Sequence, residues 1–204
     1  MRYKLNKRKR PGILPVGKRE SMKIERQEYC IKGLKYTIRS AEESDAAVLT
    51  KLRVLIDGET EHMDREAGEG LLSEEDFVKL IKGDSEGEHN LFLVALVNET
   101  PIGFSRCEGS SLKRLAHKVV FGVCLQKKYW GHQIGKNLLS RSLSWADANG
   151  IKKVELGVLE SNRRGIILYM DQGFKVEGVL RSDKLLSDGK YYDTIIMGRV
   201  SSLK

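Results

Sequence analysis

Residues Tyr129-Trp130-Gly131-His132-Gln133-Ile134-Gly135-Lys136 stand between an apolar run, Val119 to Leu125, and a segment whose apolar residues fall at Ile134, Leu138, Leu139, Leu143 and Ala146. An unbroken apolar run followed by a helical period reads as strand, tight turn and helix. Gly131 and Gly135 let the backbone pack close to a ligand. The unpaired N–H groups of a first helical turn, at the positive end of the dipole, suit a phosphate. The turn is a candidate pyrophosphate cradle. A glycine pair also serves where a strand merely bends into a helix, so a second signal is needed.

That signal is Asn162-Arg163-Arg164-Gly165-Ile166-Ile167-Leu168-Tyr169-Met170-Asp171-Gln172-Gly173-Phe174. Here a second strand, Val154 to Val158, gives way to a helix capped by Asn162 and stopped by Gly173. Together the two segments resemble the GNAT superfamily of N-acetyltransferases. Members carry V-x-x-x-x-Y-x-G-x-G-x-G and then N-x-x-A-x-x-L-Y-x-x-x-G-F, and the order of the two motifs and the spacing from Tyr129 onward match. The resemblance covers Leu34 to Val200, with the diagnostic residues between Val123 and Phe174. It implies an α/β fold: a mixed sheet of six to seven strands, splayed between its fourth and fifth, flanked by about four helices. Two departures stand out. Gln133 replaces the usual middle glycine, so a residue with a side chain must adopt its backbone conformation, and Trp130 stands where many relatives have Arg or Gln.

The resemblance also implies the chemistry, in which acetyl-CoA donates an acetyl group to an amine by direct attack. The backbone of Val123, Cys124 and Leu125 would run beside the pantetheine, with one N–H polarising the thioester oxygen. Gly131, His132, Gln133, Ile134, Gly135 and Lys136 would bind the pyrophosphate. Tyr169 matches the tyrosine that protonates the leaving thiolate, although an aromatic at that helical spacing is also an ordinary core residue. Asn162 matches a residue supporting the cofactor, and its role as helix cap is equally well motivated. Cys124 reads as a plain strand thiol. Some relatives place a basic glutamate five residues before the matching asparagine, and here that position is Gly157. Glu155, on the same face one pleat away, is the substitute candidate, beside the alternative that it simply faces solvent. His117 is a second candidate, and the family also contains members that rely on water to carry off the proton.

Of the formal charge of +8, +7 lies before Ser21, so the remaining chain is nearly neutral. Lys7-Arg8-Lys9-Arg10, close to Pro11, Gly12 and Pro15, cannot bury apolar surface, and residues 1–21 read as a disordered tail preceding one domain from 22 to 204. Nucleic acid is a partner only through that tail, which lacks an aromatic stacking platform. No apolar run approaches the roughly 20 residues that span a bilayer, and none forms a signal core, so the expected location is cytoplasmic. Three cysteines and four scattered histidines show no metal-ligand spacing, and no metal is expected.

The remaining pattern reads β-α-α-β-β-β-α-β-α-β-β. A short strand spans Tyr36 to Arg39, Ser44 caps the first helix, and Ser73 with Asp76 forms a capping box for the second. Strands follow at Leu91 to Val97 and Ile102 to Cys107, then finally at Phe174 to Leu180 and Tyr191 to Gly198. The loop after the first helix holds Asp57, Glu59, Glu61, Asp64, Glu66 and Glu69. Glu59 and Glu61 are read there as attracting an ammonium acceptor, the other reading being a solvated loop. The expected function is an N-acetyltransferase acting on a primary amine of a small molecule or a protein N-terminus. The competing one is a noncatalytic binding protein on the same fold, a coenzyme A sensor or RNA-associated. Oligomeric state is left open.

Overall fold

The computed structural model describes residues 23–201, so the basic segment 1–21 lies outside the described residues. The chain runs β1 (Gln27–Ile31), β2 (Leu34–Ser40), α1 (Ala46–Glu59), α2 (Glu74–Glu86), β3 (Leu91–Val97), β4 (Thr100–Gly109), β5 (Lys118–Leu125), α3 (Ile134–Ala148), β6 (Lys153–Leu159), α4 (Arg163–Asp171), β7 (Lys175–Leu185) and β8 (Tyr191–Val200). The mixed α/β architecture and the four helices are as expected. The described sheet has eight strands rather than six or seven, in the order β1-β2-β3-β4-β5-β6-β8-β7. The additional strand is β1, which pairs with β2 through the two-residue turn Lys32-Gly33, both at positive φ. Such a turn matches the twist of a hairpin. Its strand is an edge with mostly exposed residues, so it lacks the apolar alternation that marks a strand in sequence.

Helix starts divide in the same way. Ser73 accepts the Asp76 N–H at 3.1 Å while Asp76 accepts the Ser73 N–H at 3.0 Å, forming the expected box at α2. Ser44 does not cap α1. It lies in a single 3₁₀ turn, Glu43–Asp45, whose Asp45 carboxylate accepts the Glu42 N–H at 2.8 Å and is gripped by both terminal nitrogens of the Arg39 guanidinium. A buried, charge-assisted carboxylate organises this corner more strongly than a hydroxyl. At the other end, β7 runs past Leu180 to Leu185 because shifts in its register with β8, between Val176 and Gly178 and between Leu180 and Lys184, interrupt the alternation.

Two apolar layers flank the sheet. Ile134, Leu138, Leu139 and Ala146 of α3 pack with Tyr169 and Phe174 against Val119, Phe121, Val154, Leu156 and Met197. On the opposite face Leu49, Leu52 and Ile56 of α1, with Phe77 and Ile81 of α2, cover Phe92, Val94 and Leu96. Each buried Val, Leu, Ile, Phe or Met side chain contributes about 1.5–3 kcal/mol by leaving water, which fixes both helix layers.

The functionally decisive feature is the parallel pair in the middle. β5 and β6 are in register only at Lys118 with Lys153, Val119 with Val154 and Val120 with Glu155. Beyond Val120, β5 stays paired with β4 as far as Leu125, and β6 stays paired with β8 as far as Leu159. The sheet therefore parts into two halves. Each half keeps its outer hydrogen bonds and turns an unpaired inner edge, about 15 Å long, toward the gap.

Candidate active site

The turn after β5 delivers α3 to the mouth of this gap. Gly131 has φ +84° and Gln133, the residue preceding α3, has φ +59° in the left-handed region. Gln133 thus adopts a conformation that glycine takes without steric cost and that costs an ordinary L-residue about 1–2 kcal/mol. Ile134, 1% exposed, anchors the first turn in the core, which holds that conformation in place. No side chain caps α3. By contrast α2 is closed by Ser73, and α4 is closed by Asn162, whose Oδ1 accepts the Gly165 N–H at 3.0 Å. The first-turn N–H groups of α3 are therefore free of a side-chain cap. A Cβ placed on Gly135 would meet nothing within 4 Å, and Lys136 beside it is exposed. Residues 131–136 form an open cradle of backbone donors with one adjacent cation, chemistry suited to a pyrophosphate.

The wall of the gap is the end of β5. Val123 and Leu125 pack toward the α3 layer, whereas Cys124 packs toward the α1 and α2 layer. Burial pushes the Cys124 thiol up from its ordinary value, so it stays protonated and is a poor nucleophile. The Trp130 indole N–H donates to the Leu125 carbonyl at 3.0 Å, fixing the turn against the strand end.

Tyr169 lies in α4, buried against Phe174 with ring centroids 5.9 Å apart, and desolvation pushes its phenol up to about 12. It holds its proton at any physiological pH. Glu155 does not have the surroundings of a free base. Its carboxylate meets Lys118 at 2.8 Å and Lys153 at 2.7 Å, and Lys153 also meets Glu177 at 2.7 Å. Despite desolvation, which raises it, these two ammonium groups hold Glu155 below its usual value. Glu155 also stands opposite Val120, in the paired part of the two strands. His117 is exposed and precedes β5, at the same closed end. Gly157, on the open part of β6, is backed by Thr194: a Cβ there would come 3.2 Å from Thr194 Cγ2. A side chain there would crowd Thr194. The Thr194 hydroxyl, shut from solvent, has no hydrogen-bond partner among the described residues.

Asp57 and Glu59 belong to the last turn of α1 rather than to the loop that follows, and Asp57, Glu59, Glu61 and Asp64 are bound rather than free. Asp57 pairs with Arg65 at 3.1 Å, Glu59 accepts the Lys127 N–H at 2.6 Å, Glu61 accepts from the Ser187 N–H at 3.1 Å and from its hydroxyl, and Asp64 pairs with Lys184. Lys127 belongs to the turn after β5, and Ser187 and Lys184 belong to the β7–β8 hairpin. The segment therefore ties together elements from both halves of the sheet. Between Glu61 and Asp64 sits His62, half-buried, with its ring stacked on Trp130 at 6.4 Å and 10°. Neither His62 nor Thr194 carries a signal in the sequence, since a lone histidine or threonine has no diagnostic spacing, and Trp130 is marked there only as a departure from the family pattern.

Comparison with known proteins agrees with this geometry. Residues 58–174, more than half of the chain, match the acetyltransferase (GNAT) family. An L-amino acid N-acetyltransferase of Escherichia coli K12 is 26% identical over 110 residues, 53% of this chain and 67% of that protein. A GNAT-family acetyltransferase structure from Streptococcus pneumoniae superposes with TM-score 0.79 at 27% identity, covering 81% of this chain and 99% of that one. A phosphinothricin acetyltransferase from Sinorhizobium meliloti, solved with acetyl-CoA, has TM-score 0.70 at 22% identity and covers 81% and 88% respectively. No helix among the described residues is long and apolar enough to cross a membrane.

Proposed function

This chain belongs to the acetyltransferase (GNAT) family and is an acyltransferase, and we propose that it moves an acetyl group from acetyl-CoA to a primary amine by direct attack. The observation that carries this reading is the uncapped start of α3 at the mouth of the β5–β6 gap. Free backbone donors and an open gap are the two features a long phosphorylated thioester needs. Gly131 to Lys136 hold the pyrophosphate, with Gln133 supplying the same backbone donor despite its side chain. The inner edge of Val123, Cys124 and Leu125 lies along the pantetheine, where an N–H polarises the thioester carbonyl.

Acetyl-CoA supplies an activated acyl carbon and a thiolate leaving group. Tyr169 gives that thiolate a proton. A phenol near 12 donating to a thiolate near 8.5 is uphill by about 5 kcal/mol if the transfer is stepwise, so transfer is concerted with C–S cleavage. Asn162 holds the start of α4 and with it the placement of Tyr169. The acceptor is a primary amine of a small molecule or of a protein N-terminus. L-amino acids head the candidates because one relative is named for them.

The test is thiol release from acetyl-CoA with a panel of L-amino acids, small primary amines and short peptides with free N-termini, alongside calorimetric acetyl-CoA binding. Binding with acceptor-dependent thiol release supports the reading. Binding with no release favours a noncatalytic coenzyme-binding protein, and no binding removes the cofactor assignment.

A further inference from the structure

We propose that His62 is a catalytic residue, the base that takes the proton from the acceptor amine; this rests on the acetyl-transfer reading. Four observations place it there. Glu155 is held by Lys118 and Lys153, and His117 stands exposed before β5, at the closed end of the two strands. His62 is stacked on Trp130, whose indole is bonded to the Leu125 carbonyl, so the imidazole is two contacts from the strand end that borders the gap. The segment carrying it is tied before the histidine by Glu59 to the turn after β5 and by Glu61 to the β7–β8 hairpin, and after it by Asp64 to Lys184, while the His62 N–H donates to Thr60 Oγ1 at 3.2 Å. Carboxylates that look in sequence like an amine trap thus hold the segment whose imidazole stacks on Trp130, beside the end of β5.

The electrostatics are compatible with a base. Desolvation lowers His62 from its ordinary value, and Lys184 of β7 lowers it further while Glu61 opposes both. Trp130 adds an uncharged face from the turn, and Asp64 nearby on the same loop is taken up by Lys184. The ring is neutral at pH 7, with a nitrogen lone pair to accept a proton. In the step, the amine nitrogen forms a bond to the thioester carbon and its proton passes to a His62 ring nitrogen. The C–S bond then breaks, the electron pair leaves on sulfur, and the thiolate takes a proton from Tyr169. Solvent returns the two residues to their starting states, so the net change is amine plus thioester to amide plus thiol.

The experiment uses the full chain and its His62→Gln variant, with histidine-selective NMR and the acceptor panel. In the parent, the His62 ring resonances should titrate below pH 6.5 and shift on addition of acetyl-CoA. His62→Gln should bind acetyl-CoA within about twofold of the parent, keep its melting temperature, and turn over the best panel amine about 100-fold or more slowly, with the acidic limb of the rate profile lost. Parent-like turnover and pH profile in the variant would overturn the assignment. So would His62 resonances indifferent to acetyl-CoA, which decides the matter even if no panel amine is accepted. Absence of acetyl-CoA binding by the parent would instead sink the underlying functional reading. A variant that unfolds is replaced by His62→Asn, judged on the same rate and pH criteria.

Discussion

Gly135→Val separates fold from cofactor binding more cleanly than any other substitution in the cradle. A Cβ at this position meets nothing within 4 Å, and the residue has ordinary helical geometry rather than positive φ. Valine exceeds glycine in helix propensity by a few tenths of a kcal/mol, so stability should be unchanged or slightly raised. Its two methyl groups, however, stand in the space that phosphate oxygens need to reach the first-turn N–H groups. Losing one charge-assisted hydrogen bond costs about 1.5–3 kcal/mol, which corresponds to an acetyl-CoA affinity about 10- to 150-fold weaker. Calorimetric titration with acetyl-CoA and a thermal melt of the same sample read the two quantities. The expected result is a melting temperature within about 2 °C of the parent and a Kd at least about tenfold higher. Gly131→Ala provides the contrast, because φ +84° makes any side chain there strained, and it should lower the melting temperature. An unchanged Kd in a folded Gly135→Val protein would show that the pyrophosphate does not lie on α3, and the reasoning from the uncapped helix would fail.

Tyr169→Phe should lower the maximal rate about 100-fold with little change in acetyl-CoA Kd; full activity would return Tyr169 to the core. The same phenol links stability to alkaline pH. Its folded value near 12 exceeds the unfolded value near 10, so the folded state keeps the proton longer and the associated stability, complete below pH 10, is lost as pH rises toward 12. Denaturant melts of Tyr169→Phe across that window should fall less steeply than those of the parent. Glu155→Gln should retain acetyl transfer within about threefold, because its carboxylate serves Lys118 and Lys153; a large loss of rate would restore it as the base. Glu59→Gln can still accept the Lys127 N–H through its amide oxygen, whereas Glu59→Ala cannot. Turnover should therefore survive the first and fall in the second, while equal losses in both, relieved alike by salt, would mean that the loop works by its charge.

The strand-turn-helix around Gly131, the cap at Asn162 and the capping box of Ser73 with Asp76 are legible in the sequence because each depends on residues within a few positions of one another. Local periodicity, glycine at positive φ and side chains that reach their own backbone need no distant partner. The same locality explains why the cofactor cradle is easier to read than the proton path. Ser44 and Asp45 are adjacent, yet Asp45 organises the start of α1 because Arg39 of β2 reaches it. Glu155 alternates like any strand residue, and folding is what brings Lys118 of the neighbouring strand to its carboxylate. Glu59 and Glu61 read as a charged loop until folding sets Lys127 and Ser187 beside them. His62 meets Trp130 only when α1 and the turn after β5 share one end of the sheet. Tertiary structure decides such matters because a carboxylate or imidazole takes its charge state and its role from neighbours that distant segments bring, and a one-dimensional pattern carries no record of that arrangement. The width of the gap belongs there too, since β5 and β6 part where β4 and β8 continue to hold them on their outer edges.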